Sequence, residues 1–225
     1  MVVRKGAGIR SIKDLHHKKI ASPQLGNTQD VSLRVWLKRN GMVLSDKGGD
    51  VQVIPVKNSD QLTLFLNKQI DGAWTVEPWV SRLVNEGGGE VFLEESSLWP
   101  DGEYVTACVI ANKKFLYAHP DLVKKWLNVH VKLTLWINAH PAEAKIIMNK
   151  GLKNLTRAVL SESVLDSSFA RLKITYDPIK SSLSTFAQSA FEQGFLGKNK
   201  PELTGIYDLK ILNEILKERG LKTLD

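Results

Sequence analysis

Gln24, Gly26, Asn27 and Thr28 stand together in the run Ser22-Pro23-Gln24-Leu25-Gly26-Asn27-Thr28-Gln29-Asp30, and their types suit the holding of an anion. Glycine lets the main chain come close, and amide and hydroxyl side chains add donors. Lys19-Ile20-Ala21 before the turn reads as a short strand, and Val31 to Asn40 after it reads as a helix. That order aims the free N–H groups of a helix start at the turn. A polar helix cap at Asn27 or Thr28 would use the same residue types, so the residues alone leave cap and ligand site open, and the density of donors favours the ligand site.

A second cluster, Asp71-Gly72-Ala73-Trp74-Thr75-Val76-Glu77-Pro78-Trp79, puts the acid Glu77 at the carboxyl end of an expected strand, where open α/β sheets bind ligands. Strand alternation gives Trp74 and Glu77 each a way to face a cleft. Against this, Glu77 also suits the cap of a helix starting at Pro78, and Trp79 reads as core. A third stretch, Trp99-Pro100-Asp101-Gly102-Glu103-Tyr104-Val105-Thr106, is turn chemistry with Tyr104 and Thr106 placed to line a hinge.

Other chemistry has no foothold. The five histidines, His16, His17, His119, His130 and His140, show no metal spacing with carboxylates or cysteine, so no metal site is expected. The single cysteine, Cys108, excludes an internal disulfide and reads as a small buried hydrophobe of a strand. Gly-x-Ser-x-Gly, His-Glu-x-x-His, Walker and dinucleotide patterns are absent. Gly87-Gly88-Gly89 follows a helix and terminates it. No cofactor and no catalytic constellation is expected, and the chain reads as a non-enzyme.

The elements that must position the first two clusters alternate. Expected strands are Lys19 to Ala21, Val51 to Val56, Ile70 to Val76 and Val91 to Leu93. Helices lie between them, one closed by Gly41, one capped by Ser59 with Leu62, Phe65 and Leu66 on its apolar face, and one opened by Pro78. This rhythm calls for a parallel sheet. After an expected strand at Val105 to Ala111 the chain turns helical. Pro120 opens a long helix with Val123, Trp126, Leu127, His130, Leu133 and Ile137 on one face. Pro141 opens another to about residue 150, and further helices run over 161–172, 178–193 and 207–219. These helices need something flat and apolar to cover, which one strand does not supply: they could close on one another as a bundle, and the reading favoured over it is the remainder of a second α/β lobe whose other strands lie outside this sequence.

The 225 residues with 43% hydrophobic content suffice for one large domain or two small ones. No apolar run reaches membrane-spanning length, and the first residues do not have the pattern of a signal peptide. The net charge of +7 is scattered, without the basic blocks of a nucleic-acid platform, and would help draw in an anionic ligand.

Taken in order, these segments resemble a known family. Ser11-Ile12-Lys13-Asp14-Leu15, Lys18-Lys19-Ile20-Ala21, the run Gln24 to Asp30, Gln69 to Trp74, Glu77-Pro78-Trp79, Leu98 to Gly102, His119 to Val123 and Tyr207-Asp208-Leu209 look like the substrate-binding proteins of ABC importers for nitrate, taurine and aliphatic sulfonates. The resemblance covers almost the whole chain. It implies an α/β fold of the type II periplasmic binding class, two-lobed and hinge-closing, with the first lobe incomplete. Residues 1–10 would then be a hinge strand, 11–104 the second lobe with its ligand turn, and 105–225 a return crossover and the helical remainder of the first lobe. The ligand would be a small oxyanion held by Gln24, Gly26, Asn27 and Thr28, with Glu77 as an acidic cleft position and Trp74 beside it. Implied partners are an inner-membrane ABC permease and a second fragment or swapped neighbour completing the first lobe, and the implied location is the periplasm, with the signal segment outside this sequence. Two other uses of the same fold compete: an effector-sensing domain of a bacterial transcription regulator, and a biosynthetic enzyme.

Overall fold

The computed structural model describes residues 1–225, which divide into two compact units. The first comprises residues 1–106, 161–172 and 181–201, and the second residues 107–160, 173–180 and 202–225.

The first unit is built on a five-stranded sheet. Its strands are β1 (Val2–Arg4), β2 (Lys19–Ser22), β3 (Gln52–Pro55), β4 (Gly72–Ala73) and β5 (Gly89–Val91), in the spatial order β3-β2-β4-β1-β5. β2 runs parallel to β3 and β4, and β1 is antiparallel to β4 and β5. Because successive side chains on a strand point to opposite faces, neighbours in the sequence serve two cores. Val3, Ile20 and Trp74 join Leu33 and Leu37 of α1 (Thr28–Arg39) on one face. Val2, Ala21 and Ala73 join Leu62 and Phe65 of α2 (Asn58–Leu66) and Val80 and Leu83 of α3 (Trp79–Asn85) on the other.

Two further helices pack in this unit. α7 (Glu162–Arg171) is capped by the Ser161 side chain, which accepts from the Val164 N–H, and it lies against α3. Most of α8 (Lys180–Glu192) follows, with Phe186 in an aromatic cluster with Trp99 and Tyr104. Both helices lie within residues 105–225, the stretch expected as the helical remainder of the first lobe, and pack with the sheet unit instead.

The second unit is helical, with α4 (Lys113–Ala118), α5 (Pro120–Ala139), α6 (Pro141–Thr156) and α9 (Lys210–Glu218). Proline sits in the first turn of α5 and of α6, where its missing N–H costs nothing. The core is small: Val131 of α5 meets Leu212, Ile215 and Leu216 of α9, with Leu127 and Tyr176 against them. Trp126 stacks on His130, and Trp136 on His140, each one helical turn apart. Burial pulls the His130 imidazole below its ordinary value.

Several sequence expectations change. The Ile70 to Val76 strand contracts to Gly72–Ala73, with Trp74 still donating its N–H to the Ala21 carbonyl. α2 begins at Asn58, with Lys57 and not Ser59 at the capping position. Val105 to Ala111 is not a strand: Cys108 is exposed, and Ile110 is 88% exposed. A strand needs a hydrogen-bonding neighbour, and none of the five strands borders this segment. The apolar stripe of α5 is also divided. α9 covers the Leu127 and Val131 side, while Trp126 and Leu133 stay about half exposed. On α6 only Ala144 is buried, and Ile146, Ile147 and Leu155 are exposed.

Candidate functional site: the carboxyl edge of the first sheet

The carboxyl ends of β2, β3 and β4 face one way, so the segments leaving them converge on one edge of the first unit. β2 leads into the turn Pro23 to Asn27, β3 into Lys57 and Asn58, and β4 into Thr75 and Glu77. A 2.7 Å hydrogen bond from the Thr75 hydroxyl to Asn58 Oδ1 ties the second exit to the third.

At the first exit, much of the polar chemistry holds the turn itself. Asn27 caps α1, its Oδ1 accepting from the Asp30 N–H at 2.9 Å. Gly26 takes φ +74°, a region open to glycine, and its N–H donates to Asp30 Oδ2. Asp30 is fully buried and also accepts from the Ser22 hydroxyl at 2.6 Å and Arg34 Nε at 2.8 Å. A methyl group at Gly26 would come within 2.9 Å of the Phe195 ring, so the main chain passes directly under that aromatic side chain. The cap reading of Asn27 therefore holds for its side-chain oxygen. What remains unspent are the backbone N–H groups of Thr28 and Gln29, the Thr28 hydroxyl and the exposed Gln24 amide, none of which has a hydrogen-bond partner within the chain.

At the third exit Glu77 is sheltered, with a side chain only 4% exposed. Its carboxylate accepts from the Ser81 N–H at 3.1 Å, the Ser168 hydroxyl lies 3.0 Å from it and 2.7 Å from the Val164 carbonyl, and Arg171 Nη1 lies 3.4 Å away. Arg171 also donates from Nε to Glu94 at 2.9 Å. Burial pulls the Arg171 guanidinium down, and the Glu94 and Glu77 carboxylates more than offset this and hold it above its ordinary value. Glu77 is thus both the expected helix cap and the anchor of α7.

Trp74 takes no part in the edge. It has no exposed surface, packs against Trp36, and donates from Nε1 to Glu95 at 2.6 Å. Its alternation phase points it into the core shared with α1, which corrects the expectation that it faces a cleft. Burial pushes the Glu95 carboxyl up, although Ser32, Trp74 and Trp99 donate to it. Tyr104 likewise stacks on Trp99, 5.4 Å between ring centres, and burial raises its hydroxyl.

Two buried polar atoms near this edge have no partner, Gln61 Oε1 in the first turn of α2 and Ser81 Oγ in the first turn of α3. Orphaned polar atoms are costly and mark places where a polar guest or water is wanted. Ser22, Arg34, Ser168 and Arg171 were not singled out in the sequence. The Asp30–Arg34 spacing of four was a readable sign, whereas the pairing of α7 with Glu77 spans some ninety residues and left none.

Comparison with known proteins agrees with the ordered resemblance. Residues 4–150 match the NMT1-like family. A protein of Bacillus subtilis (strain 168) named as an aliphatic sulfonates-binding protein is 25% identical over 223 residues, covering 98% of this chain and 63% of its own length. The periplasmic sulfonate-binding protein SsuA from Methylobacillus flagellatus KT superposes with a TM-score of 0.71 at 18% identity, over 98% of this chain and 66% of its own. The desulfurization enzyme DSZB shares the fold at a TM-score of 0.59 and 16% identity, over 97% of this chain and 75% of its own. The chain therefore spans a little under two thirds of the length of the sulfonate-binding relatives. Its α/β architecture is that of the periplasmic binding proteins, and the chain belongs to the NMT1-like family.

Proposed function

We propose that this chain is the solute-binding component of an ABC importer and that the carboxyl edge of its first unit takes a small oxyanion, an aliphatic sulfonate first of all. The observation that carries this reading is the pair of unspent N–H groups on Thr28 and Gln29 at the start of α1. Such groups, with the partial positive charge of a helix start, suit an oxyanion. Gln24, the Thr28 hydroxyl and Asn27 Nδ2 are the side-chain donors beside them, Gly26 shapes the turn under Phe195, and Lys57 adds an exposed ammonium at the neighbouring strand exit. Glu77 is the acid for a cationic end, as in taurine. The named function of the Bacillus subtilis relative supports a sulfonate over nitrate.

The rest of the reading follows from that role: binding and release without a covalent step, a membrane permease as recipient, and the periplasm as the place of work. No helix is long and apolar enough to cross a membrane. A further α/β layer would cover the bare apolar side chains of α5 and α6 and give residues 107–111 a strand to pair with. A lobe closing over the edge would strip water from the ligand and strengthen each contact.

Thr28→Pro tests the site. Thr28 is the first helical residue of α1, where proline fits, and Asn27 before it is extended at ψ 173°, as a residue preceding proline must be. The substitution removes one N–H and the hydroxyl while leaving the helix. Calorimetry with ethanesulfonate should show affinity lower by about tenfold or more, the worth of a hydrogen bond to a charged group. Equal affinity in the two proteins rejects the assignment.

A further inference from the structure

Arg171, in the last turn of α7, reaches the same edge, where it meets Glu77 beyond β4 and Glu94 beyond β5. A guanidinium has five N–H donors in a rigid fork, and here few are well used. Nε donates to Glu94 Oε1 at 2.9 Å, Nη1 lies 3.4 Å from both Glu77 Oε1 and the Ser167 carbonyl, and Nη2 has no hydrogen bond within the chain. Charge-assisted N–H···O bonds run about 2.7–2.9 Å, so the two Nη1 contacts are slack. Glu77 also has the Ser81 N–H at 3.1 Å, and it shares the single Ser168 hydroxyl hydrogen with the Val164 carbonyl. Glu94 is about half exposed, so water screens its hold on the guanidinium. The side chain is therefore held at Nε and 31% exposed, with Nη2 unspent and Nη1 only loosely engaged. Glu77 leaves β4, Thr28 follows β2, and these strands are adjacent and parallel.

We propose that Arg171 is an anion-recognition residue of this edge, gripping two oxygens of an oxyanion through Nη1 and Nη2 while Glu94 holds Nε. The proposal rests on the reading that the edge takes an oxyanion. A planar fork matches two oxygens of a sulfonate or carboxylate, whereas a lysine ammonium offers a point charge. On binding, Nη1 leaves Glu77, which keeps the Ser81 N–H.

The test is calorimetry of the wild-type chain, Arg171→Lys and Glu94→Gln with ethanesulfonate, alongside thermal shifts with sulfate and acetate. Arg171→Lys should weaken ethanesulfonate by about tenfold or more. Glu94→Gln removes a competing negative charge and should tighten it severalfold, an opposite sign that a merely structural arginine would not produce. If Arg171→Lys fails to fold, Glu94→Gln decides: tighter binding supports the proposal, and unchanged or weaker binding overturns it. Wild-type affinity in Arg171→Lys overturns the role of Arg171 and leaves the oxyanion edge standing. If ethanesulfonate does not bind but sulfate or acetate stabilises the protein in an Arg171-dependent way, the sulfonate reading fails and Arg171 stands. Absence of any oxyanion effect overturns both.

Discussion

Glu95 is an acid placed where its charge is unwelcome. It is buried beside the indole of Trp74, and burial lifts its carboxyl above the ordinary 4.5. In the unfolded chain it titrates near 4.5 and in the folded chain higher, so between those values the folded state holds more protons than the unfolded state. The contribution of Glu95 to stability is then greatest below 4.5 and is lost as pH rises through this window. Gln in place of Glu keeps an oxygen for the Trp74 N–H and removes the charge. Glu95→Gln should therefore raise the thermal midpoint at pH 7 and flatten the decline above pH 4.5, both read from melts across pH. A variant as steep as the wild type would show that Glu95 stays ionised at no cost. The neighbouring Asp30–Arg34 pair is of another kind, because its carboxylate is met by three donors and serves to fix the turn under Phe195.

At the scale of the element, α5 shows how one helix can be half committed. Val131 is fully buried against α9, while Trp126, only five residues away, is 54% exposed. Val131→Ala should cost about 1–3 kcal/mol by opening a cavity, and Trp126→Gln should stay within about 0.5 kcal/mol. Urea melts of the two variants check this, and equal costs would refute the division of the face. The helices themselves were legible: Pro120 and Pro141 mark the starts of α5 and α6, and Ser161 that of α7, because these signals are local. The buried stripe of α5 was not, since Trp126 and Leu133 carry the same period as Leu127 and only the partner decides between them. Val105 to Ala111 failed as a strand for a related reason, because an apolar run becomes a strand only when another strand borders it. In the site, the turn from Gln24 to Asp30 was found from its composition. The division of its donors between self-support and ligand depended on Asp30, Arg34 and Phe195, which only folding brings together.

Across the whole molecule, charge and bare apolar surface coincide. The first unit has 16 Lys and Arg against 16 Asp and Glu, and the second has 15 against 8, so the entire net charge of +7 belongs to the helical unit. That same unit exposes Trp126, Val129, Leu133, Ile146, Ile147 and Leu155. Exposed apolar surface favours association, and like charge opposes it over about 10 Å at 0.1 M salt and about 3 Å at 1 M. The lysines of α5 and α6 thus act as a colloidal stabiliser for a face that is otherwise adhesive. Raising sodium chloride from about 0.02 M to about 0.5 M should shift sedimentation from monomer towards dimers and larger species. Trp126→Glu should suppress the shift, and a salt-independent monomer would show that the exposed side chains do not meet. The purified chain would then be best kept dilute and at low ionic strength, with salt as the dial that sets its sociability.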